Sequence, residues 1–192
     1  MDESFLLLFF KKEGSSTFFI PCASKDTSVS PPSHWLHVSE ARSGLDARFT
    51  LFDDKAPDGA GFLRRLFAVP RDIAGIHAMW TGPEISCPVP YAMVPEDIRA
   101  ALPVENGTIQ PQPGELVLSY VPPRMWGGGP DPVFDIGLFY GPGARLLFPI
   151  GWLPGSVVAR VLPAELEDFA RACGVIRRGG ACTVRFALVD AA

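Results

Sequence analysis

The sequence lacks the cysteine patterns that mark metal and redox sites. Its cysteines are Cys22, Cys87, Cys173 and Cys182, and none belongs to a Cys-x-x-Cys pair or lies near a histidine at ligand spacing. The chain is therefore predicted to hold neither a zinc site nor a thioredoxin-like motif. Free thiols in a reducing, cytoplasmic compartment account for these residues. A disulfide between Cys173 and Cys182, across the intervening glycines, is the alternative.

A basic surface and a long apolar run are missing as well. The net charge is -4 and the basic residues are scattered, which argues against a broad field for nucleic acid phosphates. The apolar run at residues 5–10 is flanked by acidic residues and lysines. It is too short to cross a bilayer and shorter than the core of a signal peptide. We predict that the protein binds neither nucleic acid nor membrane.

The common catalytic and cofactor motifs are also absent. The sequence contains no Gly-x-Ser-x-Gly, phosphate loop or dinucleotide fingerprint. Residues 137–143 contain three glycines, but this run has the character of a strand and opens no helix. We therefore predict no cofactor.

The sequence does contain many short strand-like runs separated by glycine and proline. These runs are residues 47–53, 75–80, 116–121, 133–140, 144–150, 157–162 and 182–189. Many short strands with turn residues between them favour a closed β-barrel. The predicted fold class is therefore mainly β, with a length that suits one domain.

Two helices are predicted near the mouths of this barrel. The first follows Pro57, where the apolar residues of 62–66 recur at helical spacing. The second begins at Pro163, carries acidic residues in its first turn and is predicted to stop at Gly174. Its predicted apolar face consists of Leu166, Phe169, Ala170 and Cys173.

Residues 1–40 are predicted to form a flexible N-terminal extension, and residues 41–192 the barrel domain. Residues 14–32 mix serine, threonine, proline and lysine with little periodicity, which is typical of a linker. Alternatively, residues 5–10 form a short strand or anchor that docks on the barrel or on a second subunit. His34, His37 and Glu40 match a metal clip by count alone, and without a further well-spaced ligand we predict no metal site.

Two segments carry a resemblance to a known family. Residues 47–57 read as a strand, an acidic turn and a proline before a helix, and residues 103–115 (PVENGTIQPQPGE) contain an Asn-Gly turn and then Pro-Gly before a strand. Both resemble segments of cyclophilins. With Trp80, Tyr140 and residues 151–155, the chain is similar to a bacterial cyclophilin-like family of unknown function. The resemblance spans roughly residues 45–188 and implies a closed cyclophilin-like β-barrel of about eight strands.

The same resemblance argues against the activity for which cyclophilins are known. A cyclophilin isomerase holds a proline in an apolar pocket while an arginine acts on the prolyl nitrogen. Rotation about that bond has a barrier of ~20 kcal/mol. In the corresponding region this sequence has no arginine between Arg71 and Arg99. Arg124 or Arg145 could reach the groove from elsewhere, so isomerase activity is disfavoured and remains an alternative.

The candidate ligand-binding residues are Trp80, Glu105, Asn106 and Tyr140. Trp80 offers a stacking face, Tyr140 a hydroxyl beside an apolar ring, and the acid-amide pair a polar edge. Glu105 and Asn106 are also interpreted structurally, because such side chains hold turns by binding backbone N–H groups. His77, beside Trp80, is interpreted as a structural histidine.

We therefore predict a non-catalytic barrel that binds a small molecule or a short peptide in its groove. The alternatives are a peptidyl-prolyl isomerase, another enzyme that uses the same groove, for example with Glu105 as a base, and an accessory protein whose barrel contacts another protein. A homo-oligomer is left open.

Overall fold

The computed structural model describes residues 34–191. The strands are β1 (His34–Glu40), β2 (Leu45–Leu51), β3 (Arg71–His77), β4 (Glu84–Val89), β5 (Gly107–Thr108), β6 (Glu115–Val121), β7 (Val133–Phe139), β8 (Leu147–Phe148), β9 (Gly151–Trp152), β10 (Gly155–Val161) and β11 (Cys182–Asp190). The helices are α1 (Pro57–Leu66) and α2 (Leu166–Gly179).

Eight of these strands close into an antiparallel barrel. Their order is β2-β1-β11-β3-β4-β7-β6-β10, and β10 pairs back with β2, where Val161 lies opposite Phe49. Closure pairs both edges of the sheet, so neither edge is left open to another chain. The short β5 pairs with β10, and β8 with β9 forms a separate hairpin. The prediction of a mainly β, closed barrel with two helices is confirmed.

The barrel interior is apolar and is completed by both helices. In α1, Phe62 stacks on Phe134 with ring centroids 4.9 Å apart. In α2, Phe169 meets Phe49 edge to face at 5.4 Å. All four rings are at most 3% exposed, and full burial of such a side chain stabilises the fold by about 1.5–3 kcal/mol.

The barrel begins earlier than the sequence analysis predicted. Residues 34–40, assigned there to the extension, form β1, which pairs with both β2 and β11. The alternation of Leu36 and Val38, both fully buried, with histidine and serine is the strand pattern that was missed. The rest of the predicted extension lies outside the described residues and stays a prediction.

The residues of the considered metal clip have structural contacts in this strand. His37 lies 2.5 Å from Asp46, and His34 lies 3.2 Å from Asp190. The Glu40 carboxylate accepts backbone N–H groups in the turn that follows β1. Within residues 34–191, no group of three or more histidine, cysteine or acidic residues is arranged to hold a metal ion.

Three further details differ from the predictions. The second helix continues past Gly174 to Gly179, because Ile176 on its inner face is fully buried and extends the apolar stripe. The predicted strand at 144–150 contains only the two-residue β8. Strand β4 was missed because Pro88 interrupts its pattern. The sheet accommodates this proline, which has no N–H group to donate, because the pairing of β4 with β3 ends at Ser86.

The cysteines within the described residues are free. Cys87 and Cys173 are buried and Cys182 is partly buried, so no disulfide joins Cys173 to Cys182. Burial raises the pKa of the Cys87 thiol, which keeps it protonated. The fourth cysteine, Cys22, lies outside the described residues. No helix within residues 34–191 has the length and hydropathy to cross a membrane.

Candidate functional site

Part of the outer surface of the barrel carries buried polar side chains. In β4 and β7, Ile85 and Ile136 are fully buried in the core, so the alternate residues of each strand face outward. Asp135 on β7 lies opposite Ser119 on β6, and Ser86 on β4 lies opposite Gly137. Ser119 is only 6% exposed although it faces out of the barrel. Such burial requires a second layer over this face.

Loops and the ends of neighbouring strands provide that layer and leave a groove of about 220 Å³. Its lining combines apolar residues with a few polar ones: Ile76, His77, Ala78, Met79, Trp80, Thr81, Glu84, Ser86, Pro88, Ser119, Val121, Trp126, Val133, Asp135, Phe148 and Leu153. A mostly apolar concavity with a few convergent polar groups is the usual form of a small-ligand site.

Two tryptophans form the aromatic wall of the groove. Trp80 follows β3, Trp126 lies in the loop between β6 and β7, and their rings meet edge to face at 5.6 Å. Phe148 of β8 meets Trp126 at 6.0 Å. Trp80 is 42% exposed and Trp126 38% exposed. The wall therefore presents large aromatic surface to solvent at the mouth of the groove.

A pair of carboxyl groups lines the polar part of the groove. Glu84 is 3% exposed, and the hydroxyl of Thr81 donates a hydrogen bond to its Oε2. Its Oε1 has no hydrogen-bond partner among residues 34–191. Asp135 accepts from the Ser86 hydroxyl, which lies 2.8 Å from Oδ1 and 3.0 Å from Oδ2.

The environment raises the pKa of both carboxyl groups. Burial, with a smaller contribution from the charge of Asp135, raises the pKa of Glu84 to about 8. Burial also raises the pKa of Asp135 to about 6, although hydrogen bonds from Ser86 and from the backbone of Cys87 oppose this shift. Both carboxyl groups therefore keep their protons to higher pH than exposed carboxyl groups do.

The predicted acid-amide pair lies away from this groove. Glu105 Oε2 accepts the backbone N–H groups of Asp58 at 2.9 Å and Gly59 at 3.0 Å, at the start of α1. The Asn106 side chain donates to the carbonyl of Val157 at 2.9 Å. Both residues thus hold the backbone of other segments, as in their structural interpretation. A second cavity of about 200 Å³ adjoins this region and is lined by Gly59, Leu102, Pro103, Val104, Leu118, Tyr120, Pro122, Met125, Leu153, Pro154 and Ser156.

Tyr140 and His77 form a neighbouring pair. Tyr140 is 9% exposed and does not line the groove. Its ring centroid lies 6.0 Å from that of His77, whose Nε2 is buried without a hydrogen-bond partner in the described part of the chain. Burial, and then the charge of Arg177, lowers the pKa of His77. Of the four predicted site residues, the structure therefore places only Trp80 in the groove.

Sequence analysis left Trp126 out of the candidate site and missed Glu84 and Asp135. Trp126 follows a strand and precedes three glycines, which suggested a flexible loop. Asp135 carried a usable signal, since an acidic residue in the middle of an apolar strand is rarely buried without a reason. The partnership of Glu84 with Asp135 arises because β4 pairs with β7, a contact between segments that are distant in sequence.

Comparisons with known proteins give a family and weak structural similarities. A family model described as a protein of unknown function, DUF3830, matches residues 38–188. No curated protein matches the chain. A structure of McbB in complex with tryptophan is similar at 14% identity and a TM-score of 0.49, covering 79% of this chain and 44% of McbB. The chain thus spans less than half the length of McbB. The solution structure of the hypothetical protein AF2241 from Archaeoglobus fulgidus is similar at 14% identity and a TM-score of 0.46, covering 81% and 94% of the two chains.

Proposed function

The chain belongs to the DUF3830 family of proteins of unknown function, and we propose that its barrel binds a small molecule or a short peptide in the outer groove without catalysing a reaction. One observation carries this proposal. Two partly exposed tryptophans and two carboxyl groups converge on a single concavity of about 220 Å³. Aromatic surface left open beside buried polar groups is the arrangement that a ligand would complete.

The size of the groove limits what it binds. Ligand pockets for drug-sized molecules usually measure about 300–1,000 Å³, so a concavity of about 220 Å³ suits a smaller ligand. A compact metabolite or one side chain of a peptide fits this limit. A peptide would lay its remaining residues across the exposed rim, where Ile76 is 51% and Met79 78% exposed.

We further propose that the barrel is cyclophilin-like and that it has no isomerase activity. No arginine lines the groove within residues 34–191. A prolyl bond bound there would therefore lack the arginine that acts on the prolyl nitrogen in a cyclophilin isomerase. Binding without isomerisation is the function that these residues support best.

An enzyme that uses the same groove is the second candidate, and one observation favours it. Glu84 and Asp135 have pKa values raised by burial, and a neutral acid beside a carboxylate is able to donate and accept a proton. This candidate predicts turnover of a bound ligand. Mass spectrometry of a ligand recovered after incubation distinguishes the two candidates, because a non-catalytic barrel returns the ligand chemically unchanged.

The proposal is tested by a ligand screen with matched variants. Native mass spectrometry against a metabolite and peptide library identifies binders, and tryptophan fluorescence confirms that they reach the groove. Trp80→Ala should weaken binding at least about tenfold, because it removes one aromatic wall. Trp152→Ala is the matched control, since Trp152 is 54% exposed and lies outside the lining. Equal loss of binding in both variants would place the site elsewhere.

A further inference from the structure

The groove is strongly asymmetric in charge. Its titratable lining residues are His77, Glu84 and Asp135, and it contains neither lysine nor arginine. Elsewhere in the described chain, carboxylates commonly pair with arginine even at exposed positions. Examples are Asp53 with Arg64, Asp72 with Arg185, Asp97 with Arg65, Glu115 with Arg160 and Glu165 with Arg48. No such partner is present for Glu84 or Asp135 among residues 34–191.

The missing cation has an energetic consequence. A carboxylate removed from water loses hydration that it regains only from hydrogen bonds or an opposite charge. Asp135 receives hydrogen bonds from Ser86 and the backbone of Cys87, but no positive charge. Glu84 is 97% buried, lines the groove and has an Oε1 atom without a hydrogen-bond partner in the described chain.

The aromatic wall suits the same kind of ligand. A cation over the face of a tryptophan is attracted by the ring quadrupole, most strongly where water is excluded. Trp80 and Trp126 both line the groove whose polar part holds Asp135. The apolar side chains of Val121, Val133 and Phe148 lie in the same lining. They provide a surface for the uncharged part of a ligand.

We propose that the groove selects an organic cation, a protonated amine or guanidinium on an apolar body, with the Asp135 carboxylate as its counter-ion. This inference rests on the proposed function, because it specifies the ligand of the same groove. Glu84 lies in the same lining as Asp135, and the two tryptophans enclose the cation and its first carbons. A free amine and a lysine or arginine side chain of a peptide share this chemistry, and the volume accommodates either one.

Calorimetric titration with three probes of matched size tests the charge preference. The probes are hexylammonium, 1-hexanol and hexanoate, which contain six carbons each and carry a positive, a neutral and a negative head group. We expect hexylammonium to bind at least about tenfold more tightly than 1-hexanol, and hexanoate to bind more weakly than both. The acetylated, N-methylamidated lysine is the fourth probe. Tighter binding of this probe than of hexylammonium would indicate a peptide as the source of the cation.

Two variants then test whether Asp135 causes the preference for the cationic probe. Asp135→Asn keeps the size of the side chain and its capacity to accept from Ser86, so the fold should be retained, which near-ultraviolet circular dichroism checks. In this variant the advantage of hexylammonium over 1-hexanol should fall to less than about threefold. Asp131→Asn is the control, because Asp131 is exposed just before β7 and outside the lining. An unchanged preference in Asp135→Asn would overturn the proposal.

The remaining outcomes separate this inference from the proposed function. If 1-hexanol and hexylammonium bind equally and both weaken in Trp80→Ala, the groove is a binding site and the proposed ligand class is wrong. If none of the four probes binds, the cation proposal is overturned. The library screen with the Trp80→Ala comparison then decides the proposed function independently.

Discussion

The carboxyl group of Glu84 lies directly over Gly137, so that a β-carbon built at this glycine would come within 2.3 Å of Glu84 Oε1. Gly137 stands on the same face of β7 as Asp135, two positions along the strand. The absence of a side chain at residue 137 is therefore what allows the two carboxyl groups to share the groove.

Gly137→Ala should displace the Glu84 carboxyl group and destabilise the protein. The added methyl group would also lie 2.7 Å from the buried ring of Phe139, and overpacking of this kind costs about 1–3 kcal/mol. Urea denaturation measures the free energy of unfolding. Gly61→Ala is the control, because its β-carbon meets nothing within 4 Å in α1, and alanine should stabilise this helix by ~0.5–1 kcal/mol. Equal stability of Gly137→Ala and wild type would contradict the placement of Glu84.

The raised pKa values make stability depend on pH. The folded protein holds the protons of Glu84 and Asp135 more tightly than the unfolded chain, since their pKa values rise from 4.5 to about 8 and from 3.8 to about 6. Their contribution to stability is therefore fully present below the unfolded values. It is lost as the pH rises through the folded values.

Glu84→Gln should reduce this pH dependence. Its free energy of unfolding should decline less than that of wild type between about pH 5 and about pH 8, because the amide has no proton to lose. Denaturation series at several pH values make the comparison. Glu167→Gln, which changes an exposed carboxyl group on α2, should follow the wild-type curve. If Glu84→Gln also follows it, Glu84 ionises at its ordinary pKa and the proposed acid-carboxylate pair does not exist.

Glu105 should contribute to stability and not to ligand binding. Its carboxylate accepts two N–H groups at the first turn of α1, and loss of such capping costs about 0.5–2 kcal/mol. Thermal or urea denaturation of Glu105→Ala should show this loss, while the affinity for a groove ligand stays as in wild type. The opposite result, weakened binding with unchanged stability, would show that Glu105 contacts the ligand.

The protein should not accelerate cis-trans exchange in X-Pro peptides. The groove lining contains no arginine within the described residues, and the uncatalysed reaction takes tens to hundreds of seconds at 25 °C. Exchange spectroscopy on a standard X-Pro peptide with and without protein measures the rate. Acceleration that Trp80→Ala abolishes would show that the groove is an isomerase site.

The sequence was sufficient for the barrel and insufficient for the site. Strand β11 follows local alternation, β6 is an apolar run that begins after turn residues, and Pro163 correctly indicated a helical start. The groove depends on strand pairing, which brings Glu84 to Asp135, and on a loop that carries Trp126 back over the sheet. Neither relationship has a local sequence pattern. Trp80 was identified because it belongs to the pattern that resembles the cyclophilin-like family and because its aromatic side chain offers a stacking face.

Occupancy of the groove is observed most directly at the tryptophan indole N–H groups. The chain has four tryptophans, and a two-dimensional ¹⁵N-¹H spectrum resolves one indole signal for each. Titration with hexylammonium, or with a binder from the library, should shift the signals of Trp80 and Trp126. Trp35 lies on β1, where Arg48 packs over its ring, and it does not line the groove. Its signal should therefore stay in place. Shifts confined to Trp35, or binding that leaves Trp80 and Trp126 unmoved, would contradict the assignment of the groove as the binding site.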